Sequence, residues 1–234
     1  MEYMQFKQGK IILIIFPLLT INLYAQVPNP NDWPNFKQFE KLNSNLPKLK
    51  KNEKRVVFMG NSITIGWLQA HPEFFEDKHY VNRGISGQTT SQMLVRFRAD
   101  VIDINPAAVV ILAGTNDIAG NTGPVSLSMI LDNLKSMTEI AQANDVKVIL
   151  CSVLPAYDYP WSQGKSPNIK IPKLNSMIKE YAKKSGVYYL DYFEALDNGN
   201  NGLIKEYSSD GVHLTLKGYK VMEPMIEKVL KNLL

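Results

Sequence analysis

The chain has 234 residues, of which 45% are hydrophobic and 21% charged, a composition typical of globular proteins rather than disordered or fibrous ones. This length suits one α/β domain and is short for two. The net charge of +4 comes from scattered basic residues, apart from a cluster at 48–55, so no nucleic-acid partner is predicted. The single cysteine, Cys151, excludes an intrachain disulfide and multi-cysteine zinc sites.

The N-terminus differs from the rest of the chain. Lys7 and Lys10 precede an apolar run at 11–19 that continues to the small residue Ala25. This order predicts a secretory signal peptide over 1–25 and an exported protein, periplasmic or secreted. The run is short for a membrane helix, which needs about 20 apolar residues. No stable membrane insertion is therefore expected after cleavage, and a retained anchor is the alternative.

Residues 26–54 are predicted to form a linker and an N-terminal helix. Residues 26–31 are broken by prolines, and Asp32 with Pro34 in the first turn marks a helix start. The apolar residues that recur at helical spacing beyond this point are Phe36, Phe39, Leu42 and Leu46.

Five apolar or β-rich runs then alternate with helix-compatible segments. The predicted strands lie at 56–59, 80–82, 107–112, 146–151 and 187–190. The clearest helices are 125–143, 169–184 and 215–234, the last opening after Thr215, which can cap it. Continuous apolar strands indicate a parallel sheet that is covered on both faces. The predicted fold is α/β: a flavodoxin-like three-layer sandwich with a five-stranded parallel sheet in the order 2-1-3-4-5.

Polar segments follow the strands at the edge where such sheets place their sites. Ser62 follows the first strand, Gly87 the second and Asn116 the third, while Asp210 and His213 precede the last helix. A serine hydroxyl needs a base to become a nucleophile. His213 can be that base, with Asp210 fixing its tautomer, so these three are the predicted catalytic residues.

An oxyanion formed by attack on a carbonyl needs hydrogen-bond donors already in place. The predicted donors are the backbone N–H groups of Ser62 and Gly87 and the side-chain amide of Asn116. Taken singly, Ser62 could instead be a helix cap, and His213 a surface residue. Asp117 is expected to brace the loop. Arg83, Arg96 and Arg98 lie near the predicted site, and the sequence does not say whether they contact substrate.

A long loop follows the fourth strand and carries three aromatic residues close together: Tyr157, Tyr159 and Trp161. Long loops without their own secondary structure are often functional. The three rings are candidate substrate-binding residues, as a platform for a sugar ring or one wall of an acyl pocket. They could equally be hydrophobic pins that hold the loop down.

These segments resemble the sequence blocks of the SGNH hydrolase family, also called GDSL lipases and acylhydrolases. The four residues that name the family match Ser62, Gly87, Asn116 and His213, and its aspartate before the histidine matches Asp210. The resemblance covers about residues 55–220 and implies a hydrolase domain at 55–234, a serine esterase without metal or organic cofactor. One position departs from the pattern, because Asn61 stands where the family usually has aspartate. Activity is expected to survive this change.

The leading hypothesis is an exported serine esterase that removes small acyl groups, acetyl in particular, from carbohydrate. The carbohydrate substrate rests on the export signal, the aromatic loop and the frequent deacetylases of the family. A lysophospholipase or thioesterase with the same site is the alternative, as is a non-catalytic glycan-binding protein. An FMN carrier would leave Asp210, His213 and Asn116 unexplained. The sequence makes no prediction of the oligomeric state.

Overall fold

The computed structural model describes residues 31–76 and 78–234. The predicted signal peptide at 1–25 and nearly all of the proline-broken segment after it lie outside the described residues.

Five strands form one parallel sheet in the order β2-β1-β3-β4-β5. They are β1 (Val56–Gly60), β2 (Tyr80–Gly84), β3 (Ala108–Leu112), β4 (Lys147–Cys151) and β5 (Tyr188–Leu190). Every residue of β1 and β3 is buried, as the unbroken apolar runs predict for strands covered on both faces. Each strand lies within two residues of its predicted bounds, and the predicted order is confirmed.

Eight α-helices surround the sheet in the described part of the chain. They are α1 (Lys37–Ser44), α2 (Ser62–Ala70), α3 (Thr90–Asp100), α4 (Thr115–Ala119), α5 (Leu127–Gln142), α6 (Pro167–Ser185), α7 (Tyr192–Leu196) and α8 (Leu216–Leu233). None of these helices is long and apolar enough to cross a bilayer.

The core has two halves, one on each face of the sheet, because neighbouring side chains of a strand point in opposite directions. In β1, Val57 and Met59 pack with the apolar residues of α3, α5 and α6. Val56 and Phe58 pack with those of α2, α7 and α8. The structure is therefore the predicted three-layer sandwich.

The N-terminal helix begins later than predicted. Asn35 has a left-handed backbone with φ of 58°, which a helix cannot continue through, so Asp32 does not start α1. The Asp32 carboxylate instead accepts the backbone N–H of Phe36 at 2.9 Å. Of the predicted apolar stripe, Phe39 is buried whereas Leu42 is 57% exposed. The stripe therefore covers less of the core than its spacing indicates.

The pairing register of the sheet brings the C-terminal ends of β1, β2 and β3 to the same level. Gly60, the last residue of β1, lies opposite Gly84 in β2 and Leu112 in β3. The segments that follow these three strands therefore start side by side. At the same edge the chain enters α8 from Thr215, whose hydroxyl accepts the N–H of Gly218 at 3.4 Å, confirming the predicted cap.

Candidate active site

Ser62 is the first residue of α2 and follows β1 after a turn of only one residue. The turn is tight, because a Cβ added to Gly60 would lie 2.8 Å from the carbonyl oxygen of Leu112. Asn61 caps the helix, its side-chain oxygen accepting the N–H of Ile63 at 3.0 Å. Asn61, and not Ser62, is thus the N-cap, and the serine hydroxyl is left for other contacts. The amide at position 61 supplies the acceptor oxygen that an aspartate would supply there.

Ser62, His213 and Asp210 lie in hydrogen-bonding sequence. The Nε2 atom of His213 is 3.0 Å from the Ser62 hydroxyl oxygen, and its Nδ1 is 2.6 Å from Asp210 Oδ2. The second carboxylate oxygen of Asp210 accepts the backbone N–H groups of Val212 at 2.9 Å and of His213 at 2.7 Å. The carboxylate is held from two sides, so the orientation of the ring is fixed.

The protonation states follow from these contacts. Partial burial acts to raise the pKa of Asp210, but the hydrogen bonds from His213 and from the backbone outweigh it and lower the pKa below its ordinary value. Asp210 is therefore ionised at neutral pH and can only accept a hydrogen bond. The Nδ1 atom of His213 must carry a proton, and Nε2 then presents a lone pair to the Ser62 hydroxyl.

The predicted oxyanion donors come from three neighbouring loops. In the described part of the chain, the backbone N–H groups of Ser62 and Gly87 donate no hydrogen bond to a turn or loop carbonyl. The side-chain nitrogen of Asn116 donates one proton to the carbonyl of Gln88 at 3.0 Å, which leaves its second proton available. Gly87 adopts φ of 78°, a conformation that favours glycine.

The loop that carries Gly87 is tied to the loop after β3. Asn121 donates to the carbonyl oxygen of Gly87 at 3.0 Å, one residue before the carbonyl that Asn116 holds. Two consecutive carbonyls are thus fixed from the same neighbouring loop. These bonds restrain the two peptides that follow Gly87 and so tie the backbone at Gly87, whose N–H is the predicted donor, to the loop after β3. Nothing in the sequence singles out Asn121 for this contact.

Asp117 links the loop after β3 to the start of α3. It is 4% exposed and accepts the backbone N–H of Thr90 at 3.0 Å and its hydroxyl at 2.6 Å, at the start of α3. Burial raises the pKa of Asp117, although the bonds from Thr90 oppose the shift. The carboxylate joins the loop after β3 to α3, which is the bracing role expected from the sequence.

The three aromatic residues of the long loop have different surroundings. Tyr159 is fully buried, and its hydroxyl lies 2.9 Å from that of Thr115. Trp161 stacks on Tyr159 with a centroid distance of 5.2 Å, is 45% exposed and lies 5.9 Å from the ring of His213. Tyr157 is 64% exposed. The expectation that Tyr159 contacts substrate is therefore wrong, because its buried ring serves as a pin for the loop. Trp161 is the aromatic residue of this loop that lies beside His213.

Among residues 31–76 and 78–234, no group of three or more histidine, cysteine, aspartate or glutamate side chains is placed to hold a metal ion.

Hydrogen-bonded serine, histidine and aspartate side chains at the carboxyl edge of a parallel α/β sheet are typical of hydrolases that act by acyl transfer to serine. The comparisons with known proteins agree. The model of the GDSL-like lipase/acylhydrolase family matches residues 58–221. The chain belongs to this family, the SGNH hydrolases, and is an ester-hydrolysing enzyme.

Relatives of known structure and sequence cover most of the chain. The structure of a GDSL-like lipase from Bacteroides thetaiotaomicron is 45% identical and superposes with a TM-score of 0.82, over 86% of this chain and 99% of that one. Subunit alpha2 of human platelet-activating factor acetylhydrolase IB is 26% identical over 195 residues, 79% of this chain and 80% of the relative. The lipoprotein YqeF of Bacillus subtilis is 37% identical over 169 residues, 61% of this chain and 69% of the relative.

Proposed function

We propose that this enzyme is an exported serine esterase that removes small acyl groups, acetyl in particular, from carbohydrate. The observation that supports the serine mechanism best is the unbroken hydrogen-bonded series from Ser62 through His213 to Asp210. Ser62 is the nucleophile, His213 the general base and then the general acid, and Asp210 the residue that orients and stabilises the imidazolium.

The reaction proceeds in two halves. His213 Nε2 takes the proton of Ser62 while the serine oxygen attacks the ester carbonyl, and the N–H groups of Ser62, Gly87 and Asn116 receive the oxyanion. Collapse of this intermediate expels the alcohol, which His213 protonates. Water, deprotonated by His213, then attacks the acyl-enzyme through the same oxyanion site and releases the acid and free Ser62.

The carbohydrate substrate is supported by the position of Trp161. An exposed indole next to the catalytic histidine offers a flat apolar face on which a sugar ring can stack. The acetyl group is supported by the name of the human relative, an acetylhydrolase. The same ring could also contact a lipid chain, so a lysophospholipase or thioesterase with this site is the second candidate.

Export is supported by the sequence of residues 1–25, with its basic start, apolar centre and small final residue. The name of the Bacillus subtilis relative, a lipoprotein, also favours a location outside the cytoplasm. N-terminal sequencing of the protein secreted by its host should begin at residue 26, and an intact residue 1 would contradict the cleavage.

The first test is hydrolysis of p-nitrophenyl acetate and of a long-chain p-nitrophenyl ester by the wild type and Ser62→Ala. We expect turnover of the acetate and a loss of about 10⁴-fold or more in kcat in the variant, the scale of serine knockouts in other triads. A preference for the long chain favours the lipid substrate. Equal inertness of both proteins, with glycan binding retained, favours a non-catalytic glycan-binding protein.

The second test compares Trp161→Ala with Tyr157→Ala on an acetylated oligosaccharide. We expect Trp161→Ala to raise KM about tenfold with little change in kcat, a loss within the range of one aromatic stacking contact. Tyr157→Ala is the comparison variant, because Tyr157 is an exposed aromatic residue of the same loop, and a rise in its KM would place Tyr157 in the platform as well. An unchanged KM in both variants argues against the sugar platform.

A further inference from the structure

Arg96 lies behind the active site, fully buried in α3. Its guanidinium donates to two side chains, Gln88 Oε1 at 2.6 Å and Asp100 Oδ2 at 2.9 Å. It also donates to two main-chain carbonyls, those of Arg83 at 2.9 Å and of Gly60 at 3.3 Å. All three of its nitrogens are engaged, so the planar fork is held in one orientation.

The groups that Arg96 contacts belong to the two segments that must meet in the oxyanion hole. Gly60 ends β1, two residues before Ser62, and Gln88 directly follows Gly87. The backbone joins these segments as well, since the N–H of Ile85 donates to the carbonyl of Gly60 at 3.2 Å. One guanidinium therefore ties the strand of the nucleophile to the loop of the second oxyanion donor.

Gln88 connects Arg96 to the loop that carries Gly87. Its side-chain oxygen accepts from Arg96, while its side-chain nitrogen donates to the carbonyl of Pro34 at 2.9 Å. Its own carbonyl accepts from Asn116 at 3.0 Å. Gln88 is thus held at three atoms by three different parts of the chain. The peptide that links it to Gly87 has little freedom to rotate.

Two buried guanidiniums lie behind this loop. Arg96 and Arg83 are 0% and 4% exposed, and Arg96 is paired with the buried carboxylate of Asp100. Burial lowers the pKa of Arg83 to about 10, and that of Arg96 is lowered by the same cause, with Asp100 opposing the shift at both. Both guanidiniums remain charged at neutral pH. Both are therefore buried cations, but only Arg96 bonds Gln88 and the carbonyl of Gly60, which makes Arg83 the suitable control.

We propose that Arg96 is a positioning residue of the reaction, which holds the loop of Gly87 against the strand that leads to Ser62. This inference rests on the proposed serine mechanism. Arg96 does not touch the substrate. It acts through Gln88 and Gly60, and its effect is confined to the transition state, where the oxyanion forms.

The test uses the variants Arg96→Met, Arg96→Lys and Gln88→Met in the full chain, with p-nitrophenyl acetate as substrate. Arg96→Lys keeps the charge and loses the fork, and Gln88→Met breaks the link while keeping the Arg96–Asp100 pair. Arg83→Met is the matched control: it also removes a buried guanidinium, whose side-chain partners are Asn43 and the carbonyl of Asn82.

For Arg96→Met we expect kcat to fall about 10- to 100-fold with KM nearly unchanged, below the 10²–10³ typical for removal of a whole oxyanion donor. The Ki of a small alkylboronic acid, which forms a tetrahedral anion on Ser62, should rise by a similar factor. Arg96→Lys and Gln88→Met should show smaller losses of the same kind. Arg83→Met should lower the melting temperature while kcat and Ki stay within about twofold.

The inference is overturned if the folded Arg96 and Gln88 variants, checked by circular dichroism below their melting temperatures, keep wild-type kcat and Ki. It is also overturned if Arg83→Met shows the same catalytic losses, because the effect would then be a general one of buried charge. If Arg96→Met does not fold, the other two variants decide. Full activity in Ser62→Ala would instead refute the serine mechanism itself.

Discussion

The protein contains two histidine–carboxylate pairs of nearly the same geometry. In one, His213 Nδ1 lies 2.6 Å from Asp210, and in the other His71 Nδ1 lies 2.6 Å from Glu223. The side chains of the second pair are the more buried, 24% and 14% exposed, against 28% and 38% for the first. By burial and by the histidine–carboxylate distance alone, the His71 pair would be the better candidate for a catalytic site.

What differs is the second nitrogen of each ring. His213 Nε2 faces the Ser62 hydroxyl at 3.0 Å, whereas His71 Nε2 faces a second carboxylate, Glu73, at 3.8 Å. Glu223 also accepts the indole N–H of Trp67 at 3.1 Å, which joins α2 to α8. A carboxylate on a histidine therefore indicates catalysis only when the ring has a group to deprotonate on its other side. The His71 pair is a structural link.

The largest effect expected from this comparison is on turnover. His213→Gln should lower kcat for p-nitrophenyl acetate by about 10⁴-fold or more, since the base is lost. His71→Gln should leave kcat within about twofold of the wild type. Parallel assays of the two variants at equal folded concentration make the measurement. A large loss in the His71 variant would mean that the two pairs are coupled.

A smaller difference between the two histidines is expected in the pH dependence of activity. The imidazole of His213 must be unprotonated to act as base, so kcat/KM should fall about tenfold per pH unit on the acid side. The folded-state pKa of Asp210 is lowered, so its contribution to stability is present above the unfolded-state value and is lost only as the pH falls through the lower folded value. The fall in activity should therefore begin at a higher pH than the loss of the stability that Asp210 contributes.

Profiles of kcat/KM and thermal unfolding scans over the same pH series test this order. His71→Gln should give the same activity profile as the wild type. An activity profile without an acid limb would contradict the role of His213 as base.

The smallest effect concerns stability. Glu223→Gln keeps the size of the side chain but removes the charge that holds His71 and Trp67, a loss of roughly 1–2 kcal/mol for charge-assisted bonds. The melting temperature should fall by about 2–8 °C for a domain of this size. Activity at low temperature should be unchanged. Thermal unfolding followed by circular dichroism decides, and an unchanged midpoint would show that the link contributes nothing.

The strands and the candidate site residues could be predicted because their signals are local. β1 and β3 are buried on both faces, so their sequences are unbroken apolar runs, and the residues that follow them lie at one edge by topology alone. Ser62, Asp210 and His213 are brought together by that rule. The parallel order of the sheet needs only the alternation of strands and helices.

The contacts that the sequence could not predict join residues far apart in the chain. His71 and Glu223 are 152 positions apart, so no spacing marks them as partners. The sequence places Arg96 near the site. The pattern of apolar residues in α3 does not show that the side chain of Arg96 points inward and bonds the carbonyl of Gly60. Tyr159 is buried, whereas Trp161, two residues later, is exposed. The loop after β4 has no regular periodicity, so the sequence does not predict which of its residues are buried.

The position of Cys151 has a practical consequence. It is the only cysteine of the chain, lies in the buried strand β4, and its pKa is raised by burial, so it is a poor nucleophile toward thiol reagents in the folded protein. A thiol introduced by Tyr157→Cys would therefore react alone. A fluorophore attached there would sit on the aromatic loop without background labelling and could follow movement of the loop as substrate arrives.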